Sequence, residues 1–370
     1  MLDLTVDTQA LALSLKGRAS SDLLKATSVG EVYIMFSLRC NLRCKVCSWW
    51  GIKGPCRKKG FLNKYKASLS QEDLERFAQE VMAFHPKTVT FSGGEPLLSA
   101  HWYNLAQCFK KQGVRVSVTT NGVYLLKNMD KAVRVLDQVS LSLGGPPSIL
   151  HLIREDSPAH FKTIVKGLAA LTLYKKKHAN RPRLNMLYTI SDLSYAHMGE
   201  FIAFMQNAGI AVDNYHFQHL MFINRQTLKM QEKFLRDKLN ITALELWPGY
   251  TYSPGYIDFS RFIAEIRKVK KLRAVSFSPD LYPDEIIPYY KDNRGALHYC
   301  RYCTAPWHQV NVMPNGDIYV CHDVFIGNIK EHSFSEIWNG RQAQKVRALF
   351  SKSLSPGCKG CFYHYAERAQ

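Results

Sequence analysis

Six short runs of apolar, β-branched and aromatic residues recur along this chain, and their regular spacing limits its fold more than any other feature. They lie at 31–37 (EVYIMFS), 88–91, 115–119, 138–143, 184–190 and 214–219. Helical stretches alternate with them: one opens at Ser70, with Glu72 and Asp73 in its first turn, and runs to about Phe84, and others cover 101–112, 161–177 and 196–208. Repeated βα units imply a parallel sheet with covering helices. Each polar or glycine-rich signature follows a strand, which is where (β/α) barrels and open α/β sheets place their active sites. After about residue 225 the alternation weakens, and a polar, aromatic-rich stretch with a helix at 258–271 leads to a cysteine-rich end. The expected division is an N-terminal extension (1–29), a core (30–225), a bridging region (226–295) and a C-terminal cysteine module (296–370).

Composition excludes general disorder, because 46% of the 370 residues are hydrophobic and only 21% charged, enough for a substantial core. No run of 18 apolar residues occurs, and the first residues lack the order of a signal peptide, so the expected location is the cytoplasm. Without a secretion signal, the ten cysteines point to metal or redox chemistry rather than disulfides.

Three of them form Cys40-x3-Cys44-x2-Cys47 on the loop after the first strand. A 4Fe-4S cluster normally takes four thiolates, so a loop with three leaves one iron open to a ligand that is not protein. A structural zinc with a distant fourth ligand, or ordinary buried cysteines, are the alternatives from spacing alone. Further along, Gly93-Gly94-Glu95-Pro96 follows the second strand and Thr119-Thr120-Asn121-Gly122 the third. With these three motifs in this order the chain resembles the radical SAM superfamily. The resemblance implies a partial (β/α)6 TIM-like barrel and a 4Fe-4S cluster whose open iron is chelated by S-adenosylmethionine. In those roles the two glycines allow close backbone approach to the methionine moiety, and Glu95 accepts a hydrogen bond from its ammonium group. Pro96, Thr120 and Asn121 belong to the same motifs, Ser142 matches a serine near the ribose or carboxylate, and Arg154 an arginine facing the carboxylate. Two positions depart from the pattern: Val46 stands where an aromatic residue usually packs on adenine, with Trp49 or Trp50 as substitutes or as core, and Gly144 replaces an aspartate after the fourth strand.

Near the C-terminus, Cys303 and Cys321 flank Asn315-Gly316-Asp317, a hairpin signal that carries Cys321 back towards Cys303. Cys358 and Cys361 complete a set of four thiolates able to ligate zinc or a 4Fe-4S cluster. The segment, with Pro314–Asp317, Gly327-Asn328-Ile329 and Phe334–Trp338, resembles the SPASM and shorter twitch modules of radical SAM enzymes. That resemblance implies a small β-hairpin and helix domain with one auxiliary cluster on Cys303, Cys321, Cys358 and Cys361. Cys300 is the surplus thiol, and Cys303 fits the module's spacing better. Cys56 and Cys108 read as ordinary thiols.

The implied reaction is cleavage of S-adenosylmethionine to a 5′-deoxyadenosyl radical that abstracts hydrogen from an unactivated carbon. Only about thirty residues precede the first strand, which favours a small polar substrate (sugar, aminocyclitol or nucleotide derivative) over a peptide or protein side chain. A non-enzymatic metal protein that binds nucleic acid is the alternative of another class. The net charge of +19 suits nucleic acid, but its basic groups are scattered, as Arg57-Lys58-Lys59, Lys110-Lys111, Lys175–Lys177 and 268–273. The first group follows the cysteine loop and suits an acidic electron carrier such as a flavodoxin or ferredoxin. No general acid or base is assigned; His216, His219, Tyr252 and Asp280 read as structural or surface groups.

Overall fold

The computed structural model describes residues 24–155, 158–178, 182–242, 244–291 and 303–361. Strands β1 (Glu31–Met35), β2 (Thr88–Ser92), β3 (Arg115–Thr120), β4 (Gln138–Ser142), β5 (Arg183–Ile190) and β6 (Asn214–His219) pair in parallel in chain order. Between them lie α1 (Gln71–Val81), α2 (Trp102–Lys111), α3 (Met129–Val135), α4 (Pro158–Lys177) and α5 (Met198–Asn207). The start of α1 is fixed by a reciprocal cap: Ser70 Oγ accepts from Asp73 N and Asp73 Oδ2 from Ser70 N, both at 3.1 Å.

The bridging stretch continues the alternation further than its sequence suggests. It holds α6 (Arg225–Leu239), α7 (Phe259–Lys270), β7 (Val275–Ser278) and α8 (Pro283–Lys291), and β7 adds to the sheet parallel to β6. Helix α6 is obscured in the sequence because its buried face includes Thr227 and Gln231 beside Leu235 and Leu239. Strand β7 is four residues long with alternating serines, too short for a pattern to declare itself.

At the other edge, β8 (Gln309–Val312) pairs parallel to β1, and β9 (Asp317–Cys321) and β10 (Val324–Asn328) follow as antiparallel strands. The β8–β9 turn has Gly316 at φ 94°, a conformation that a side chain would strain. Helices α9 (Phe334–Trp338) and α10 (Arg341–Phe350) cover this end. They also hold the start of the described chain: Asn339 exchanges two hydrogen bonds with the Ala26 backbone, and buried Arg347 donates to the Leu24 carbonyl at 2.9 Å.

The strand period of two gives the sheet two different faces. Val32, Ile34, Val89, Phe91, Val116, Val118, Leu184, Met186, Tyr188 and Phe217 are buried on the helix side, where Tyr188 and Tyr215 meet Phe201 of α5. Alternate residues, from Thr90 and Ser117 to Asn185, His216 and Gln218, form the inner face. His219 has the outer parity: it is 1% exposed, bonds Tyr290 OH through Nδ1 at 3.0 Å, and is ringed by Phe262, Phe277, Tyr289 and Tyr290. It is a core histidine, the structural rather than the surface group that its sequence allowed. No helix among the described residues is long and apolar enough to cross a membrane.

Burial brings the His219 pKa down to about 3. The unfolded chain, at the ordinary value, takes up a proton below about pH 6.5 that the folded chain refuses until about pH 3. Stability is therefore full above pH 6.5 and falls as pH drops through that window, by about 1.4 kcal/mol per pH unit from this residue. In urea titrations of the metal-free chain, His219→Gln should flatten the acid limb by that amount; an unchanged limb would refute the neutral core histidine.

Candidate active site

Three loops meet at the carboxyl ends of β1, β2 and β3. The cysteine loop after β1 carries Cys40, Cys44 and Cys47, all partly buried. Gly94 N donates to Ser37 O at 2.8 Å and Glu95 N to Arg39 O at 2.9 Å, so the loop after β2 lies directly on the backbone leading into Cys40. This contact explains the paired glycines: a Cβ at Gly94 would stand 1.9 Å from Arg39 O, and one at Gly93 (φ 113°) 2.6 Å from Ser37 O. The Cβ directions of both glycines thus face the backbone of the cysteine loop.

Glu95 is 3% exposed. Its Oε1 accepts from Thr120 Oγ1 at 2.7 Å and Leu97 N at 3.1 Å, and its Oε2 from Asn121 N at 2.8 Å. A carboxylate has about four acceptor sites, so one is left on Oε2 for an ammonium group. Burial raises its pKa, and the three donors act against that rise. Thr120 donates to Glu95, and Pro96 is buried in the turn beyond it. Asn121 is turned to the cysteine loop, with Nδ2 2.9 Å from Asn41 Oδ1 and 3.7 Å from Cys40 Sγ.

Ser142 and Arg154 join the same site through backbone geometry. Residues 43–44 and 154–155 form a two-residue antiparallel ladder that sets Cys44 opposite Arg154. Arg154, 2% exposed, donates from Nη1 to the Ser142 carbonyl at 3.3 Å. Trp49 and Trp50 are both buried at 9% exposure; Trp50 Nε1 donates to Leu38 O at 2.7 Å, and the Arg43 guanidinium lies 3.7 Å from its ring centroid. They belong to the core side of the loop, and Val46 is partly buried against the same core.

The residues around Cys40 fit an iron-sulfur cluster and its ligand. Asn41 Nδ2 is buried with no hydrogen-bond partner among the described residues, a donor one residue from the first thiol. Burial pushes the Cys40 thiol up, with the Glu95 and Cys47 charges adding to it, and burial does the same to Cys47. Such thiols ionise when a metal replaces the proton. Among the described residues no three His, Cys, Asp or Glu side chains converge on one metal ion; a cubane cluster spreads its thiolates over separate irons, so its ligands surround a space instead of meeting at a point.

The second group lies at the end of β9. Burial first, then the neighbouring Cys358 and Cys303 thiols, holds the Cys321 thiol well above its ordinary value, and burial also raises Cys358, against a hydrogen bond from Ser355. Cys361 N donates to Cys358 O at 3.1 Å, so the close pair shares one turn. Cys300 lies outside the described residues. Cys56 is buried beside the first group, its thiol pushed up to about 12 by burial and by Cys47, while Cys108 is a partly buried thiol on α2. The remaining candidates have local partners: Tyr252 OH donates to Asp192 Oδ1 at 2.7 Å, and Asp280 pairs with Lys270.

His216 has a position that its sequence did not single out. It lies on the inner face, where the register sets Ser142, Leu187, His216 and Ser276 side by side. Its Nδ1 bonds Ser276 Oγ at 2.9 Å, and burial lowers its pKa to about 4, so the ring is neutral at pH 7. Strand parity within 214–219 was the available signal, since it separates His216 from His219.

A sheet whose carboxyl end gathers a three-cysteine loop, a buried glutamate and an asparagine against the first thiol has the residues of an iron-sulfur site. Residues 34–205 match the Radical SAM superfamily and residues 303–362 the SPASM iron-sulfur cluster-binding domain, and the chain belongs to that superfamily. Its cofactors are accordingly a 4Fe-4S cluster, S-adenosylmethionine and auxiliary iron-sulfur chemistry in the SPASM domain. It is 22% identical over 339 residues to a tungsten-containing aldehyde ferredoxin oxidoreductase cofactor-modifying protein of Pyrococcus furiosus, covering 89% of this chain and 86% of that one. An AdoMet-dependent heme synthase of Oleidesulfovibrio alaskensis is 22% identical over 339 residues, 88% of this chain and 78% of that one. Among solved structures, Streptococcus suis SuiB bound to its precursor peptide SuiA superposes with a TM-score of 0.57 at 14% identity, over 96% of this chain and 74% of that one. The structure of anSMEcpe with bound AdoMet gives 0.54 at 17% identity, over 91% and 84%. These likenesses show a shared fold.

Two substitutions test the loop junction. Gly94→Ala should displace the backbone before Cys40 and lower the iron bound after anaerobic reconstitution by about half, one of two 4Fe-4S clusters. Glu95→Gln keeps the shape but sets an NH2 group against N–H or O–H donors, and should cost about 1–3 kcal/mol in chemical denaturation. Wild-type iron in the first and wild-type stability in the second would contradict the geometry described.

Proposed function

We propose that this enzyme abstracts hydrogen from a small, uncharged and hydrogen-bond-rich part of its substrate, such as a sugar, aminocyclitol or nucleotide derivative, for oxidation or a related modification. The observation that carries this reading is the inner face of the sheet. Towards its carboxyl end the paired positions are Thr119, Ser140, Asn185 and Asn214, then Ser142, Leu187, His216 and Ser276, then Thr189, Gln218 and Ser278. None of these carries a charge at pH 7. Several already bond one another, Asn214 Nδ2 reaching Asn185 Oδ1 at 2.7 Å and Ser276 Oγ at 3.0 Å. Hydroxyls and carboxamides in this density suit a polyol. The same carboxamides also match peptide amides, so a peptide or protein side chain is the second reading.

On this reading Cys40, Cys44 and Cys47 hold the first cluster, and Cys303, Cys321, Cys358 and Cys361 hold one auxiliary cluster. When bound, the first cluster and S-adenosylmethionine supply an electron and a 5′-deoxyadenosyl radical. The chain's own residues position and shield: Glu95 and Asn121 fix the cysteine loop, Ser142 and Arg154 border it, and neutral His216 offers a hydrogen bond to substrate two strands away, roughly 10 Å along the sheet. Arg57, Lys58 and Lys59 are exposed beyond the cysteine loop and suit an acidic electron carrier.

Iron analysis and product analysis test this together. Reconstituted protein should hold about eight irons, and about four when Cys40, Cys44 and Cys47 are all changed to Ala, each cluster holding four; four in the wild type would remove the auxiliary cluster. Candidate polyols should stimulate 5′-deoxyadenosine formation, and stimulation by peptides alone would replace the first reading with the second. Turnover driven by flavodoxin should fall steeply with added salt, unlike turnover with a chemical reductant, because exposed charges are screened within about 10 Å at 0.1 M. Equal salt sensitivity would count against the basic docking surface.

A further inference from the structure

Between the two cysteine groups runs a single turn, Trp247–Tyr250 (WPGY), that touches both. On one side Gly249 lies against Ser48, the residue after Cys47. A Cβ at Gly249 would stand 2.0 Å from the Ser48 carbonyl oxygen and 3.3 Å from its Cα, so the contact admits glycine alone. On the other side the Trp247 ring fills the space over Gly357, the residue before Cys358, where a Cβ would come within 2.3 Å of the ring. Trp247 Nε1 donates to the His322 carbonyl at 3.0 Å, and the Tyr250 ring is centred 4.9 Å from the His322 ring; His322 follows Cys321 directly.

The turn is also fixed from below. The Asp323 carboxylate accepts from Leu246 N at 3.0 Å and from Trp247 N at 2.9 Å. A close-packed chain of this kind transmits displacement, because a backbone pressed on a backbone has no flexible side chain to absorb it.

We propose that the Trp247–Tyr250 turn is a positioning element that couples the two cysteine sites. Filling the C-terminal site fixes Cys321–Asp323 and Gly357; these fix Trp247 and Gly249, and Gly249 sets the backbone after Cys47 where the first cluster receives S-adenosylmethionine. The proposal rests on the assignment of both cysteine sets as cluster sites. The coupling is reciprocal by linkage, so S-adenosylmethionine bound at the first site also steadies the second.

The test is an electron paramagnetic resonance titration of S-adenosylmethionine into the reduced, reconstituted full chain, with iron measured on each sample. Changing Cys321 and Cys358 together to Ala should halve the iron and weaken S-adenosylmethionine binding at the untouched first cluster by on the order of fivefold or more. Gly249→Ala should weaken it comparably, and the combined variant should be no weaker than the worse of its parents, the non-additivity expected of one shared path. Trp247→Phe keeps every thiol but loses both the bond to His322 and the indole atoms packed over Gly357; it should keep wild-type iron and still weaken binding, which covers the case in which the double cysteine variant fails to fold. Unchanged iron in the double variant would overturn the ligand assignment and the coupling with it. Halved iron with wild-type affinity, effects that multiply independently, or wild-type affinity in Trp247→Phe would overturn the coupling alone.

Discussion

The Glu95 carboxylate is the fixed point at the carboxyl end of the sheet. Two strands and the cysteine loop are tied to this residue: its backbone N–H donates to Arg39 O, and its carboxylate oxygens accept from Leu97, Thr120 and Asn121. Burying an ionised group is costly unless it is hydrogen-bonded, so the carboxylate persists there because three donors surround it, and those donors in turn have one geometry open to them. The result is a rigid corner from which Asn121 reaches Cys40. Precise placement of this kind suits chemistry in which a very reactive species has to meet one carbon and no other.

Much of this was legible in the sequence because the signals are local. Six strand runs, the cap at Ser70 and the hairpin at Asn315-Gly316 each depend on a few neighbouring residues, and strand and helix positions agree with the structure to within a few residues. Strand β7 and helix α6 were not legible: one has four residues, and the other buries Thr227 and Gln231, so pattern yields to tertiary contact. The site residues divide in the same way. Motif order brought Cys40, Glu95 and Asn121 onto one end of the sheet, but the reason for Gly93 and Gly94 lies in the backbone of residues 37–39, which no spacing rule connects to them.

The two histidines of β6 show how small the deciding difference can be. They stand three residues apart, and the strand's period of two sends one outward among aromatic rings and the other inward among hydroxyls and carboxamides. Burial keeps both neutral, yet only His216 shares a layer with Ser142 at the mouth of the sheet. The sheet thus has an apolar outer face that forms the core and an inner face lined by hydroxyls, carboxamides and His216.

Strand β1, which leads into the cysteine loop, has neighbours that lie far apart in the chain: β2 at residue 88 and β8 at residue 309. During synthesis its outer edge stays unpaired until more than two hundred further residues have been made. An unpaired edge of a buried parallel sheet is a template for wrong partners, so completion of the sheet around the cysteine loop is deferred to a late stage of translation.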